Sequence, residues 1–205
     1  TAVITYREST GLGNGIWKST NAGQTWEPIP GTEKFAFVTD IKVRNENGTG
    51  VIYAGVVSGL YHGPHQSDPS DGLYRSTDGG LTWEQVLPDI PGFETPHCPA
   101  DIEFGANGKI YVGTMKNISK QGGAYILSSE TGLTGSWNVY SAIHDEILQN
   151  STHFVPGRAM LAAAPSDSNC VYAIIAAGYW DNPGNQTFEK SEGKYFLKSV
   201  NQGLT

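Results

Sequence analysis

Apolar and polar residues alternate along three similar stretches of the chain. Residues 40–57 read DIKVRNENGTGVIYAGVV, residues 101–115 read DIEFGANGKIYVGTM, and residues 159–178 read AMLAAAPSDSNCVYAIIAAG. Each stretch has two alternating runs joined by a short turn rich in Gly, Asn or Ser, which is typical of an antiparallel β-hairpin. No stretch sustains a 3.6-residue apolar period, and the best helical candidate, residues 141–148, is short. The sequence therefore predicts an all-β chain.

A second pattern recurs between these hairpins. GIWKSTNAGQTWEPI at residues 15–29 aligns with GLYRSTDGGLTWEQV at residues 72–86, and weaker copies occupy residues 123–140 and 193–205. The copies open with serines spaced by 57, 52 and 71 residues: Ser19, Ser76, Ser128 and Ser199. Self-similarity at such a period is typical of repeat folds, in which each unit buries its faces against its neighbours.

Together the two patterns predict units of four antiparallel strands, A to D. Four-stranded sheets that pack against copies of themselves build a β-propeller. We expect a partial propeller of about three blades: strands C and D of one blade near 13–29, blades near 40–86 and 101–140, and an incomplete blade near 158–205. Because propellers close with about 4 to 8 blades, we expect further blades from the same chain. An aromatic residue within about three positions of Thr205, then a D strand, would continue the pattern.

The serine-opened copies resemble the Asp-box (BNR) motif of propeller proteins, S-x-D-x-G-x-T-W. One copy fills the motif completely, with Ser76, Asp78, Gly80, Thr82 and Trp83. The others fill it in part: Ser19, Asn21, Gly23, Thr25 and Trp26; Trp137; and Ser199, Asn201 and Gly203. The chain is similar in this respect to sortilin-like and xyloglucanase-like propellers and to secreted Bacteroidetes Asp-box proteins. The resemblance implies a structural turn, with Trp26 and Trp83 largely buried against their own hairpins.

Loop length differs between the two faces of the predicted disc. The A–B turns and the Asp-box turns share one face of an antiparallel meander, and most of them are short. The other face, which we name the long-loop face, has the B–C loops (58–71, 116–122 and 179–193) and the D–A loops (30–39, 87–100 and 141–157). Long loops on a rigid scaffold usually carry function.

Polar and aromatic side chains on the long-loop face are the predicted ligand contacts: His62, His65, Asp68, Asp71, His97, His144, Asp145, Tyr179, Trp180 and Asp181. An aromatic pair beside a carboxylate suits a sugar ring, although packing between blades is an equal alternative for Tyr179 and Trp180. Residues 141–148 read as a solvated short helix that carries His144 and Asp145. The spacing of His62, His65 and Asp68 matches no established metal motif, so we predict no metal and no cofactor. A plain solvated loop is the alternative to ligand contact for these residues.

Charge and hydropathy narrow the class of partner. The net charge of −7 and pI near 5.1 argue against a nucleic-acid partner, which needs a basic face. The longest apolar runs fall short of the ~18 residues that a membrane span requires. We predict a glycan or protein ligand, no nucleic acid, no membrane span, and a secreted or cell-surface location.

Three function classes fit an Asp-box propeller. A sialidase needs an arginine cluster and an Arg-Ile-Pro strand, and the sequence shows neither. A xyloglucanase-like glycoside hydrolase uses paired carboxylates. Asp71 before GLYR is similar to an acidic segment of that family, but the spacing differs, so no catalytic residue is assigned. A non-catalytic propeller that binds glycan or protein is the leading prediction, and the hydrolase, with carboxylates partly outside this sequence, is the alternative.

Overall fold

The structure, a computed structural model, describes residues 12–67, 71–182, 184 and 189–203. Antiparallel strands dominate these residues, and α1 (Ala142–Gln149) is the α-helix among them. The predicted all-β fold with antiparallel sheets is therefore confirmed.

Four sheets follow one another along the chain. The first pairs β1 (Trp17–Lys18) with β2 (Glu27–Pro28). The second sheet and a hairpin inserted in it comprise β3 (Val38–Glu46), β4 (Thr49–Val56), β5 (Gly59–Leu60), β6 (His65–Gln66), β7 (Gly72–Ser76) and β8 (Glu84–Gln85). In it β4 and β7 pair at the centre, β3 and β8 form the edges, and β5 pairs with β6 as the hairpin.

The third sheet repeats the order of the second. Its strands pair in chain order: β9 (Cys98–Phe104), β10 (Ile110–Met115), β11 (Ile126–Ser129) and β12 (Asn138–Tyr140). The fourth sheet has three strands among the described residues: β13 (Val155–Ala163), β14 (Val171–Trp180) and β15 (Glu189–Ser199). The tight β3–β4 turn uses Asn47 and Gly48 at φ 53° and 86°, the positive values that a two-residue hairpin turn favours.

Buried apolar side chains lie between consecutive sheets. The cluster between the first and second sheets consists of Ile16, Ile29, Phe35, Ala54 and Val56. The cluster between the second and third includes Val51, Tyr53, Leu73, Ile102, Ile110 and Leu127. The cluster between the third and fourth includes Tyr111, Leu161, Val171, Ala173 and Ile175. The sheets therefore stack face to face in chain order, while closure into a ring and the blade bounds remain predictions.

The turn between β7 and β8 folds around two side chains. Ser76 Oγ accepts the Gly80 N–H at 2.9 Å and donates to Asp78 Oδ1 at 2.8 Å. Asp78 also accepts the N–H and the hydroxyl of Thr82 at 3.0 and 2.6 Å. Trp83 Nε1 donates to the Gly80 carbonyl at 2.9 Å. We name this arrangement a box turn; its polar groups are satisfied within the turn itself.

Box turns of the same construction follow β1 and β15. Ser19 Oγ accepts the Gly23 N–H at 2.8 Å, and Asn21 Oδ1 accepts the Thr25 N–H at 2.9 Å. At the end of the fourth sheet, Ser199 Oγ accepts the Gly203 N–H at 2.9 Å and donates to Asn201 Oδ1 at 2.8 Å.

The box turn that follows β11 is displaced by one residue from the alignment that the sequence predicted. Ser129, not Ser128, accepts the Gly132 N–H, at 2.8 Å. Ser128 Oγ instead pairs with Tyr140 Oη at 3.2 Å. The extra residues before Trp137 allow this shift, and Trp137 packs against the cluster between the second and third sheets.

The expected burial of the box tryptophans is wrong for Trp26 and holds only in part for Trp83. Trp26 is 56% exposed, although its Nε1 donates to the Gly23 carbonyl as expected. Trp83 is half-buried because Phe35 lies edge-on to it at 5.7 Å. The turn alone covers one side of the indole, and a neighbouring aromatic is needed to cover more.

Candidate functional site: the long-loop face

Loops on each face contact loops of the same face in the neighbouring sheet. On the short-turn side, the Arg44 guanidinium donates to the carbonyls of Gly108, Glu130 and Thr131 at 2.8, 3.1 and 2.7 Å. On the other side, the B–C loop of the third sheet contacts the preceding D–A loop, since a Cβ added at Gly122 would lie 3.1 Å from Ile90 Cδ1. The sheets therefore present two chemically different faces.

The hairpin β5-β6 exposes two of the predicted ligand contacts. His62 is exposed near the tip, at φ 51°, and its ring lies edge-on to Tyr61 with centroids 4.3 Å apart. His65 lies in β6 and is also exposed. Gly59 fits closely against the Phe37 ring, since an added Cβ would lie 2.7 Å from Phe37 Cε2. Both imidazoles are accessible from solvent.

Asp71 has a structural role that its sequence position did not reveal. It is 4% exposed, and its Oδ1 accepts both the N–H and the hydroxyl of Ser58. The carboxylate thus joins the two ends of the B–C loop that contains the hairpin. Asp68 lies outside the described residues.

Three lysines lie over the rings of Tyr179 and Trp180 at the end of β14. The ammonium groups of Lys116 and Lys120 lie 5.2 and 4.7 Å from the Trp180 ring centroid. Lys190 Nζ lies 5.9 Å from the Tyr179 ring and 2.6 Å from Asp181 Oδ1. We name these six residues the Trp180 patch. Cations over an aromatic face are attracted by its quadrupole, so the patch joins π surface to hydrogen-bond donors.

His97 and His144 both contact the Tyr125 ring inside the long-loop face. The Tyr125 ring stacks on His144 at 4.1 Å and lies edge-on to His97 at 4.8 Å. The expectation that the helix carrying His144 is solvated is wrong for this residue, because it is 9% exposed and its Nδ1 lies 2.7 Å from the Gly123 carbonyl. Asp145, on the outer side of α1, is exposed and accepts the Ser141 hydroxyl at 2.8 Å.

Burial sets the protonation of these imidazoles. Burial and the neighbouring His144 lower the pKa of His97 to about 4. Burial also lowers the pKa of His144, against the opposing effects of the Gly123 carbonyl and Asp145. Both rings are therefore neutral at pH 7.

On the opposite face, which has the A–B turns and the box turns, two carboxylates are engaged by neighbouring residues. Hydrogen bonds from the Thr82 hydroxyl and N–H and from Ser76 hold the pKa of Asp78 far below its usual range. Glu46 accepts from Arg44, Tyr53 and Arg75. Although burial opposes them, these bonds hold the pKa of Glu46 below its ordinary value. Both carboxylates are committed to their own surroundings.

Two classes of site are not seen within the described ranges. No group of three or more His, Cys, Asp or Glu residues there could hold a metal ion. No helix there has the length and apolar character needed to cross a membrane.

Sequence reasoning missed the partners of the predicted residues. Lys116, Lys120 and Tyr125 were not singled out, although they surround Trp180, His97 and His144. Lys116 and Tyr125 flank a tight loop in which Asn117 and Gln121 bond each other through side chain and backbone. The N-x3-Q spacing was the available signal for that turn.

Two curated relatives of this chain are xyloglucanases, and no family model matches the sequence. A xyloglucanase from Paenibacillus sp is 29% identical over 162 residues, which cover 67% of this chain and 14% of the relative. The xyloglucanase Xgh74A of Acetivibrio thermocellus is 33% identical over 123 residues, 50% of this chain and 13% of the relative. The chain thus spans a small part of the length of the relatives it matches.

One solved structure matches nearly the whole chain. The GH74 enzyme of Niastella koreensis aligns with a TM-score of 0.56 and 22% identity, over 94% of this chain and 26% of that chain. At this identity the likeness concerns the fold. Taken with the two sequence matches, it supports a xyloglucanase-like β-propeller as the fold of this chain.

Proposed function

We propose that this chain is part of a xyloglucanase-like glycoside hydrolase and that it contacts a glycan through its long-loop face. The similarity to two proteins named xyloglucanases carries the proposal, and one of them matches 67% of the chain. The hydrolase is therefore favoured over the binding module without catalysis, which was the leading prediction from the sequence. Box turns, which satisfy their own polar groups, are proposed to be Asp-boxes with a structural role.

The Trp180 patch and the β5-β6 hairpin are the proposed contact points. A sugar presents an apolar C–H face and a ring of hydroxyls, so it needs an aromatic surface beside polar groups. Trp180 is half-buried and has two lysine ammonium groups over its ring. The remaining indole surface can contact the sugar ring, with the exposed Lys120 beside it, whereas Lys116 is only 3% exposed. Tyr61, His62 and His65 offer a second aromatic surface with imidazole donors.

No residue of this chain is proposed as the catalytic acid or base. Glycosidases need two carboxyl groups about 5 to 9 Å apart across the scissile bond. Three acidic candidates of the long-loop face are engaged elsewhere: Asp71 with Ser58, Asp145 with Ser141, and Asp181 with Lys190. We therefore propose that catalytic carboxylates lie partly outside this sequence.

Because these three carboxylates are engaged elsewhere, a binding module without catalysis is the second candidate function. If the whole protein lacked an acid and base pair, the long-loop face would still bind glycan or protein without cleaving it. A polysaccharide too large to cross a membrane must be met outside the cell, so under either function we propose a secreted or cell-surface location.

Binding to xyloglucan oligosaccharides tests the proposal directly. Calorimetric titration of the 205-residue chain should show binding to xyloglucan oligosaccharides and weaker binding to unbranched cello-oligosaccharides of equal backbone length. A reducing-sugar assay on the whole protein separates the two candidates, because only a hydrolase releases new ends. Failure to bind either sugar would contradict the proposal for this chain.

A further inference from the structure

The D–A loop between the second and third sheets is folded as a narrow strap. Residues 88–97, which we name the strap, close on themselves. Ile90 N–H donates to the Thr95 carbonyl at 2.8 Å, and His97 N–H donates to the Pro88 carbonyl at 3.2 Å. Ile90 is 2% exposed and lies against Gly122 of the next loop. The strap is thus fixed to the long-loop face by a small number of buried side chains.

His97 is the least satisfied of those side chains. It is 0% exposed, and neither ring nitrogen has a hydrogen-bond partner among the residues that the structure describes. Its contact with the facing loop is the edge of Tyr125, at 4.8 Å, and Tyr125 in turn stacks on His144 of α1. A neutral imidazole can occupy such an apolar site, but an imidazolium loses its hydration there without gaining an acceptor.

The charged groups of the packed elements do not compensate a proton on His97. The strap carries Asp89 and Glu94, the facing loop carries Lys116 and Lys120, and α1 carries Asp145 and Glu146. The influences on His97 are burial and His144, and both disfavour its charged form. Asp145 acts on Tyr125 and His144 instead.

We propose that the strap is an acid-released element of the long-loop face, held down at neutral pH by the neutral His97 ring and freed when that ring takes up a proton. Release exposes His97 to water, where its charged form is solvated, and it separates the strap from Tyr125. The buried cluster between the second and third sheets includes Tyr125, but its other members, such as Val51, Ile102 and Ile110, belong to the strands and keep these sheets in place.

The direction of the pH effect follows from linkage. The pKa of His97 is about 4 in the folded state, below the ~6.5 of an exposed histidine. A depressed pKa means that the closed strap is favoured above pH ~6.5 and loses this stabilisation as pH falls towards 4. At pH 4.5 the closing equilibrium should be weaker by about 70-fold than at pH 7.5.

Hydrogen exchange at the two pH values is the test. Mass spectrometry on the full chain, with rates corrected for the intrinsic pH dependence, should show loss of protection at pH 4.5 in residues 88–97. Protection in β9 and β10 should stay unchanged. In His97→Phe, which keeps a ring of similar shape without the titration, the strap should stay protected at both pH values.

A matched control and a second measurement keep the outcome decisive. His62→Phe changes an exposed histidine outside the strap and should leave the pH dependence of strap protection as it is in the unchanged chain. NMR titration of the five histidines should find one that titrates well below the others, and its resonance should be absent in His97→Phe. If His97→Phe does not fold, His97→Gln identifies that resonance. Equal strap protection at pH 7.5 and 4.5, the same acid loss in His97→Phe, or an ordinary His97 titration would each overturn the proposal.

Discussion

Arg44 and Lys42 lie two residues apart on β3, yet their surroundings differ. The Arg44 side chain is 12% exposed, pairs with Glu46 and donates to three carbonyls of the third sheet. Lys42 is 36% exposed and pairs with Glu103 at 3.1 Å. A guanidinium has the donors to satisfy several acceptors at once, whereas an ammonium in contact with water gains little from one pair. Position alone does not tell a structural cation from a surface one.

We therefore expect different losses of stability from removing each cation. Arg44→Met removes one of the three side chains that donate to Glu46 and leaves the three carbonyls without that donor, so it should lower the free energy of unfolding by about 3 kcal/mol. Lys42→Met should cost less than about 1 kcal/mol. Urea denaturation of the two variants measures the difference; equal losses would show that Arg44 does not join the second and third sheets.

The box turn should respond to pH through Asp78. Hydrogen bonds hold its pKa below the ordinary value, so its stabilising effect is present above pH ~4 and is lost as the carboxylate takes up a proton. Asp78→Ala should lower stability at pH 7, and the difference from the unchanged chain should shrink as pH falls to 3. Thermal unfolding of both proteins across that range provides the check. A difference independent of pH would show that the charge of Asp78 does not matter.

At the scale of strands and sheets, one row of residues joins each sheet to the next. Asp101, Gly113 and Ile126 are register partners across the third sheet, as Asp40, Gly55 and Leu73 are across the second. The Asp40 carboxylate accepts the Ile102 N–H at 3.0 Å, and the Asp101 carboxylate accepts the Leu161 N–H at 2.6 Å. In the fourth sheet this row is Met160, Ile174 and Phe196, which are 40%, 50% and 72% exposed.

The glycine in this row allows the close approach of neighbouring sheets. A Cβ at Gly113 would collide with the Ala159 carbonyl, so Gly113→Ala should destabilise the chain by about 1 to 3 kcal/mol. Gly193→Ala in β15 is the matched control, because nothing lies within 4 Å of its added Cβ and its φ is not positive. It should be neutral or slightly stabilising. If Gly113→Ala were equally tolerated in chemical denaturation, sheet spacing would not depend on that glycine.

The strands could be predicted because their signals are local. Alternation and turn residues marked β3-β4, β9-β10 and β13-β14, and the serine-opened copies marked the C and D strands. The one-residue shift from Ser128 to Ser129 and the exposure of Trp26 were missed. Both depend on what packs across a turn, which a motif does not encode.

In the molecule as a whole, strand order determines which face each loop lies on, but it does not determine the contacts within the long-loop face. Lys116 and Trp180 lie 64 positions apart in the sequence and meet only because consecutive sheets stack. Asp71 shows the converse. It was predicted as a ligand contact beside histidines, and it is buried against Ser58. Which polar groups of a loop remain available is decided by its internal hydrogen bonds.

We propose that the long-loop face binds glycan while the box turns only stabilise the fold. Calorimetric titration of xyloglucan oligosaccharides into Trp180→Ala and Asp78→Asn tests it with one variant on each face. Trp180→Ala should weaken binding by about 1 to 3 kcal/mol, the usual cost of losing a stacked aromatic at a hot spot. Asp78→Asn should be less stable yet bind with unchanged affinity per folded molecule. Unchanged affinity in Trp180→Ala together with lost affinity in Asp78→Asn would place the binding surface on the opposite face and overturn this proposal.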